Sequence, residues 1–260
     1  MTDTFEPTLA LSAPSLAEFR TYSVCRIPIA DLDTATAAAH IVRAAASRTS
    51  FEVHLCNAYT LSLVDRDPLL VDALLASHMN LADGTPVAWL GRSQGEPGPV
   101  RGPGLVGAVA ALGLGVAHHY LWGGKDGVAD GMAEGLREHV PGVSIVGTET
   151  PPFAPLSDED LFDLAVRVRA SGANILWVGL GTPNQDYVVR RLAGLLEMPI
   201  VPVGAAFDFW SGAVSEAPAF LHGSGLEWIY RLSREPRRLW RRYLIGNPRF
   251  VMSALRHRTT

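Results

Sequence analysis

Cysteine, lysine and charged residues in general are scarce in this 260-residue chain. Its two cysteines, Cys25 and Cys56, cannot build a disulfide framework, and they lack the Cys-X-X-Cys spacing of a zinc or redox site. Lys125 is the only lysine, and charged residues make up 18% of the chain against about 25% in an average soluble domain. With 48% hydrophobic residues, the composition excludes a mainly disordered chain and predicts a globular protein of a reducing compartment.

Several catalytic signatures are also missing. There is no Gly-X-Ser-X-Gly nucleophile elbow and no Gly-Lys-Ser/Thr of a P-loop. The adjacent His118 and His119 would point to opposite faces of a strand, so we expect no metal site shared between them. The Asp-X-Asp segments at residues 31–33 and 65–67 do not stand at predicted strand ends, because they fall at a helix cap and in an interhelix loop. The residues alone therefore indicate no metal or cofactor site, and we predict none.

Charge is distributed unevenly along the sequence. Residues 221–260 hold nine arginines and two glutamates, a net charge of +7, whereas the rest of the chain carries −11. In this tail the arginines alternate at helical spacing with Trp228, Trp240 and Tyr243, which gives an apolar face and a basic face. Such a helix can lie on an anionic membrane surface, bind a polyphosphate, or simply dock with its charged face in solvent. The acidic body disfavours nucleic acid as a partner.

Strand-like and helix-like segments alternate along the body, which predicts an α/β fold, a Rossmann-like three-layer parallel sheet with a C-terminal helical appendage. The expected organisation is a disordered or extended N-terminus at 1–18, the α/β core at 19–220 and the basic appendage at 221–260. The predicted strands of the core are 22–27, 53–56, 79–82, 119–122, 143–147, 174–179 and 199–205. The acidic N-terminus lacks a basic region followed by an apolar run, so we expect no secretory signal.

One uncharged run, Gly102–Gly124, is long enough to span a bilayer. It contains seven glycines, a proline and the two adjacent histidines. These features favour a small-residue helix near 104–116 and then a buried strand over a membrane-spanning helix.

Polar or glycine-rich residues follow five predicted strands, at the edge where open parallel sheets bind ligands. In chain order they are Asn57, Asp83-Gly84, Gly123–Gly127, Gly179–Gln185 and Gly204–Asp208. The two glycine-rich turns are incomplete as dinucleotide fingerprints, but each places small residues before a helix N-terminus, and together they favour a nucleotide with two phosphates. The carboxylate at position 83 is a candidate general base, although Asp-Gly is also a common turn dipeptide. Asp208, between two phenylalanines, is a second candidate carboxylate that burial could perturb.

Taken in order, the fragments resemble the WecG/TagA/CpsF family of glycosyltransferases, from about Ser23 to Phe250. The likeness is carried by Asn57, Ala82–Gly84, Arg101, Gly104, Leu121–Val128, Val178–Asp186, Val203–Phe209, Gly212, Ala217-Pro218, Gly225–Arg231, Glu235–Arg238, Arg241–Leu244 and Asn247-Pro248. The resemblance implies inverting, metal-independent transfer of a hexose, N-acetylmannosamine or a related sugar, from a UDP-sugar. The implied acceptor is a polyprenyl-diphosphate-linked sugar used to build teichoic acid or another cell-surface polysaccharide.

The resemblance also implies roles for individual residues. Asp83 corresponds to the catalytic base, and Asn57, Arg101 and Gln185 fall at positions around the substrate. Our predicted substrate-binding set adds Gly123, Gly124, Gly181, Asp208, Arg231, Arg238 and Arg241. The basic appendage would close over the site and dock at the membrane, so we expect a cytoplasmic protein, peripheral at the inner face of the plasma membrane, with a homo-oligomer as a further possibility.

Two alternatives stay open. The first is a nucleotide-dependent oxidoreductase on a Rossmann-type sheet. The second is a catalytically silent sugar-nucleotide-binding protein, because Leu55 and Glu216 stand where the family usually has threonine and arginine.

Overall fold

The structure is a computed structural model, and it describes residues 18–91, 98–152, 154–214, 227–234 and 236–257. The predicted segment 1–18 lies outside these residues except for Glu18. The predicted boundary between the core and the appendage at 220 lies outside them altogether. Both therefore stay predictions.

One eight-stranded sheet forms the centre of the described chain. Its strands are β1 (Thr21–Val24), β2 (Ile27–Ala30), β3 (Phe51–Cys56), β4 (Met79–Ala82), β5 (His118–Gly123), β6 (Ser144–Glu149), β7 (Ile175–Gly179) and β8 (Pro199–Pro202). They lie in the order β1-β2-β4-β3-β8-β7-β5-β6, and every neighbouring pair is parallel except β1 with β2. The predicted parallel α/β sheet is confirmed.

The prediction of one strand over 22–27 is wrong, because the chain reverses within it. Cys25 and Arg26 have φ angles of 50° and 63°, and β1 therefore pairs antiparallel with β2. Left-handed turns of this kind favour glycine or asparagine, and neither residue is present to signal the turn. Contacts distant in sequence support it instead: Nη2 of Arg26 donates to the carbonyl of Val64 at 3.0 Å, and Cys25 is buried.

Helices cover both faces of the sheet. They are α1 (Thr34–Ala46), α2 (Ala58–Ser62), α3 (Pro68–Ala76), α4 (Thr85–Gly91), α5 (Gly102–Leu112), α6 (Val128–His139), α7 (Asp158–Ala170), α8 (Asn184–Leu192), α9 (Ala206–Trp210), α10 (Glu227–Arg234), α11 (Pro236–Arg241) and α12 (Asn247–Arg256). One core lies between the sheet and α1, α5, α6 and α9, and two others lie on the opposite face under α2, α3, α7 and α8. The three layers are as predicted. The short α4 and α9 were not predicted, because seven and five residues are too few to show an apolar period.

The uncharged run Gly102–Gly124 forms α5 and β5, as predicted. Helix α5 has 11 residues, against about 20 needed to span a bilayer. At Gly113 a Cβ would lie 2.6 Å from Cβ of Ala117, so glycine lets the chain leave the helix tightly and enter the strand. In the part of the chain that the structure describes, no helix combines the length and apolar character that crossing a membrane requires.

The C-terminal helix α12 packs against α2. Phe250 is buried in the core that contains α2, and the backbone at Gly246 passes so close that a Cβ would lie 3.1 Å from the Tyr59 ring. Asp65, just beyond α2, bonds to Nη1 of Arg256 at 3.0 Å and to Nε2 of His257 at 2.8 Å. A single π-helical turn, Arg242–Gly246, joins α11 to α12.

The contact of Asp65 with α12 predicts that the stability of this helix depends on pH. The hydrogen bond from His257 is the main cause that lowers the pKa of Asp65 below its ordinary value. A lowered pKa in the folded state means that the contact stabilises fully above about pH 4 and is lost as the pH falls through the lower folded value. At pH 7 we expect Asp65→Asn to speed hydrogen exchange of the α12 amides up to about fivefold, since such a pair contributes about 1 kcal/mol or less.

The ratio of exchange rates between the variant and the wild type should fall toward one as the pH drops through the lowered folded-state pKa of Asp65, because the wild-type carboxylate is then protonated too. Equal exchange in the two proteins at pH 7 would show that Asp65 does not hold α12.

Candidate functional site

The five strand ends that the sequence singles out belong to five adjacent strands. The strands β4, β3, β8, β7 and β5 lie side by side and are all parallel, so their carboxyl ends share one edge of the sheet. At a strand spacing of about 4.8 Å, this edge is about 20 Å long. It carries, in spatial order, Asp83, Asn57, Gly204, Gly179–Gln185 and Gly123–Gly127.

Asn57 and Asp83 form a hydrogen-bonded pair at one end of this edge. Asn57 caps α2, and its Oδ1 accepts from the backbone N–H of Thr60 at 3.0 Å and from the Thr60 hydroxyl at 3.3 Å. This cap turns the amide nitrogen toward Asp83, and Nδ2 donates to Oδ2 of the carboxylate at 3.3 Å. The backbone of Asp83 is held as well, because its N–H donates to the carbonyl of Cys56 at 3.0 Å. The result is an oriented, partly exposed carboxylate.

Arg101 lies beside the same strand end. The backbone N–H of Val100 donates to the carbonyl of Ala82 at 2.8 Å, which places Arg101 directly beyond β4 and at the N-cap of α5. A Cβ at Gly102 would lie 3.2 Å from the carbonyl oxygen of Val203, so glycine lets α5 begin against the end of β8. The structure thus brings together the predicted residues at positions 57, 83 and 101.

Leu55, which departs from the family pattern, lies beneath the edge. It is 5% exposed and belongs to the core under α1 and α5, with Cδ2 3.6 Å from where a Cβ would stand at Gly102. Glu216, the other departure, lies outside the described residues.

The ends of β5 and β7 are in direct backbone contact. A Cβ at Gly123 would lie 2.4 Å from Cα of Gly179, and the N–H of Gly124 donates to the carbonyl of Gly179 at 3.0 Å. Gly124 and Gly127 have φ angles of 75° and 78°, in the left-handed region that favours glycine. The N-cap residue of α6 is Gly127, which has no side chain to cap the first turn. This helix start therefore suits an anion that would accept hydrogen bonds from its first turn.

Gln185 organises the second glycine-rich turn. Its Oε1 accepts from the N–H of Gly181 at 2.9 Å, and its own N–H donates to the Gly181 carbonyl at 3.1 Å. Gln185 is 5% exposed, and a Cβ at Gly204 would lie 3.2 Å from its Oε1, so the side chain also fits closely against the end of β8. The N–H groups bonded inside this turn are not available to a phosphate. The α6 turn is therefore the better phosphate candidate of the two.

Asp208 is the third residue of α9. It is partly exposed, so the burial considered for it from its phenylalanine neighbours is not observed. Its neighbour Phe207 is buried instead. The Phe207 ring packs against Gly179, where a Cβ would lie only 2.6 Å from the ring. Helix α9 thus holds Asp208 at the carboxyl edge of the central strands.

The three predicted arginines of the appendage are not equally placed. The side chains of Arg231 and Arg238 lie outside what the structure describes. Arg241 is exposed, and its guanidinium carbon lies 5.2 Å from the ring centroid of Trp240.

Arg242, which the sequence did not single out as a site residue, lies beside the second glycine-rich turn. Its guanidinium carbon is 4.8 Å from the ring centroid of Tyr59, and Nη2 is 3.7 Å from where a Cβ would stand at Gly181. The π-helical turn that begins at Arg242 has more residues per turn than an α-helix. The α-helical spacing assumed for this tail therefore does not hold at Arg242, and it could not identify this arginine as the one beside the site.

The Asp-X-Asp carboxylates serve local structure. Asp33 caps α1 by accepting from the N–H of Thr36 at 2.7 Å, and Asp67 caps α3 by accepting from the N–H of Leu70 at 3.0 Å. Asp65 bonds to the C-terminal helix, as described above. Across the ranges that the structure describes, no three His, Cys, Asp or Glu side chains converge as ligands for a metal ion.

Cys56, a free thiol, ends β3 near Asp83. It is completely buried, and burial together with the charges of Asp186 and Asp83 raises its pKa well above the ordinary thiol value. The thiolate is the nucleophilic form of cysteine, so a buried neutral thiol is inert. Of the two side chains, Asp83 is the one suited to accept a proton from a substrate.

The sequence was compared with known proteins. The N-acetylglucosaminyldiphosphoundecaprenol N-acetyl-beta-D-mannosaminyltransferase of Bacillus spizizenii is 31% identical to this chain over 139 residues. The alignment covers 53% of this chain and 51% of the relative, so the match spans about half the length of each protein. The model of the glycosyl transferase WecG/TagA/CpsF family matches residues 22–260, which include all five strand ends and the C-terminal helices. The resemblance seen in the motifs is thereby confirmed, and the chain belongs to the WecG/TagA/CpsF family of glycosyl transferases.

Proposed function

We propose that this protein transfers N-acetylmannosamine or a closely related hexose from a UDP-sugar to a polyprenyl-diphosphate-linked sugar, with inversion and without a divalent metal. The observation that carries the proposal is the shared sheet edge, on which Asp83, paired with Asn57, lies three and four strands from the two glycine-rich turns. That separation, about 15–20 Å, suits a sugar nucleotide bound along the edge. Family membership and the activity named for the Bacillus relative support the reaction class.

In the proposed reaction Asp83 acts as the general base. Its carboxylate accepts the proton of the acceptor hydroxyl as that oxygen bonds to the anomeric carbon, and the bond to UDP breaks with its electron pair leaving on the phosphate. A single displacement of this kind inverts the anomeric configuration. The role of Asn57 is to keep the carboxylate in one orientation, which matters because a base must lie within hydrogen-bond reach of the proton it takes.

The departing diphosphate needs positive charge and hydrogen-bond donors. We assign these to the first turn of α6 and to arginines around the edge, of which Arg101 and Arg242 are the best placed among the described side chains. Guanidinium groups bind phosphate oxygens in a bidentate manner and stay charged at all physiological pH values. They would supply the stabilisation that a divalent cation provides in other nucleotide-sugar enzymes.

The C-terminal helices offer a surface for the membrane that carries the lipid-linked acceptor. Large apolar side chains on α11, the π-helical turn and α12 are 37–63% exposed, namely Trp240, Leu244, Ile245, Val251, Met252 and Leu255. Arg237, Arg241 and Arg256 on the same helices are exposed as well. An apolar face bordered by arginines can rest on anionic headgroups, where each basic residue contributes about 1 kcal/mol. We propose peripheral, reversible association at the inner face of the plasma membrane.

The oxidoreductase alternative finds no support in the placement of the glycines. The chain does contain one Gly-X-Gly-X-X-Gly spacing, at Gly102, Gly104 and Gly107. All three lie inside α5, whereas a dinucleotide site needs this motif in the turn between a strand and a helix.

A UDP-release assay tests the proposal. The full chain is given UDP-N-acetylmannosamine, with other UDP-hexoses as comparisons, and polyprenyl-diphosphate-linked N-acetylglucosamine in anionic or neutral vesicles. We expect UDP release that requires the acceptor, continues in EDTA and is faster with anionic vesicles. Failure of every UDP-sugar to give acceptor-dependent release would overturn the proposed reaction, whereas loss of activity in EDTA would overturn only metal independence.

A further inference from the structure

Two polar pairs join β3 to α8 directly under the candidate site. On β3, Glu52 and His54 point away from the core that contains Phe51, Val53 and Leu55, and toward α8. Oε1 of Glu52 bonds to Nη1 of Arg190 at 2.7 Å, and Nδ1 of His54 bonds to Oδ1 of Asp186 at 2.8 Å. The two residues on β3 are two positions apart and therefore lie on one face of the strand. Their two partners on α8 are four positions apart and therefore lie on one face of the helix.

The His54–Asp186 pair lies between the two halves of the site. His54 lies on β3, three residues before Asn57, which follows the strand and donates a hydrogen bond to Asp83. Asp186 directly follows Gln185, the side chain that closes the glycine-rich turn. One hydrogen bond therefore links β3, the strand that leads to Asn57 beside the proposed base, to the helix whose N-terminus shapes the nucleotide end.

Burial makes this link unusual. The side chains of His54 and Asp186 are 0% and 1% exposed, and Nε2 of His54 and Oδ2 of Asp186 have no hydrogen-bond partner among the described residues. Buried polar atoms without partners are destabilising, and apolar residues of similar volume often stabilise such a site as well or better. What an imidazole–carboxylate bond adds over an apolar contact is a fixed distance and direction between the two elements.

We propose that His54 and Asp186 are positioning residues for sugar transfer. Their hydrogen bond fixes the position of the glycine-rich turn relative to Asp83. The inference rests on the proposed function. Neither side chain needs to touch the substrate, and each half of the site keeps its own internal bonds without them. Their loss should therefore impair the alignment of the sugar with the base more than the binding of the nucleotide.

The test replaces the pair by apolar residues of similar size, His54→Leu with Asp186→Val, and measures kcat, KM for the UDP-sugar, Kd for UDP and Tm. We expect a Tm equal to or above that of the wild type, a kcat lowered about 100-fold, and a Kd for UDP changed less than about threefold. His54→Asn, whose amide nitrogen can replace Nδ1 as the donor to Asp186, should recover most of the kcat.

Arg190→Gln is the matched control, since it breaks the other pair on the same interface. It leaves Glu52 buried without its partner and should lower Tm while kcat stays within about twofold of the wild type. A merely structural role for His54 and Asp186 would make kcat follow Tm in all variants, and that result would overturn the inference.

The two proposals fail in different ways. Wild-type turnover together with an unchanged kcat in the apolar variant overturns the inference alone, whereas absence of turnover in the wild type overturns the proposed function and the inference with it. If the double variant does not fold, His54→Asn is compared with His54→Val. Equal kcat values in these two would overturn the inference, because only the asparagine retains a donor to Asp186.

Discussion

Asp83→Asn is expected to lower kcat for sugar transfer by about 10³-fold while the Kd for UDP stays within about threefold of the wild type. Asparagine has nearly the shape of aspartate, so the backbone turn at Gly84 and the contact with Asn57 can persist. An amide cannot accept the proton of the acceptor hydroxyl, which therefore attacks without a base. The measurement is steady-state UDP release beside calorimetric UDP binding.

Asp72→Asn is the control for this substitution. It makes the same chemical change on the exposed face of α3, and its kcat should stay within about twofold of the wild type. A kcat of Asp83→Asn within tenfold of the wild type would remove Asp83 from the role of base.

The second large effect is expected at the contact between β5 and β7. In Gly123→Ala the new Cβ would lie 2.4 Å from Cα of Gly179, and backbone cannot move aside as a flexible side chain can. Separating the two strands should cost about 3 kcal/mol of folding free energy, or about 6–12 °C in Tm. Because the turn that follows Gly123 begins α6, we also expect UDP to bind at least tenfold more weakly. Thermal unfolding and UDP titration measure the two effects.

Gly194→Ala serves as the matched control. Its nearest neighbour, the carbonyl oxygen of Arg191, would be 4.0 Å from the new Cβ, and the residue is exposed. Its Tm should stay within about 2 °C of the wild type. A Gly123→Ala variant as stable as Gly194→Ala would show that β5 and β7 do not pack as closely as described.

The arrangement of the candidate site was predictable because a parallel sheet obeys a simple rule. Strand ends followed by Asn57, Asp83 and the glycine-rich turns must lie at one edge, whatever the order of the strands. The order itself was not predictable, since β8 lies between β3 and β7 through contacts that no local pattern encodes. That order is what makes the five ends adjacent.

Features that depend on contacts distant in sequence were missed. The reversal at Cys25 and Arg26 has no glycine or asparagine to announce it, and it is supported by Val64 and by burial. The sequence motif identified Gln185 as a site residue, but it did not indicate that the Gln185 side chain bonds to Gly181 within the same turn. The pairing of His54 with Asp186 joins residues 132 positions apart, and only the packed structure brings them together.

The most direct test of the central claim, that one sheet edge holds both the nucleotide and the base, is a crystal structure of the protein with UDP. The account predicts that the diphosphate accepts hydrogen bonds from the first turn of α6 near Gly127, and that the open end of the diphosphate faces Asp83. UDP bound elsewhere, or bound with its diphosphate directed away from the Asn57–Asp83 pair, would contradict it.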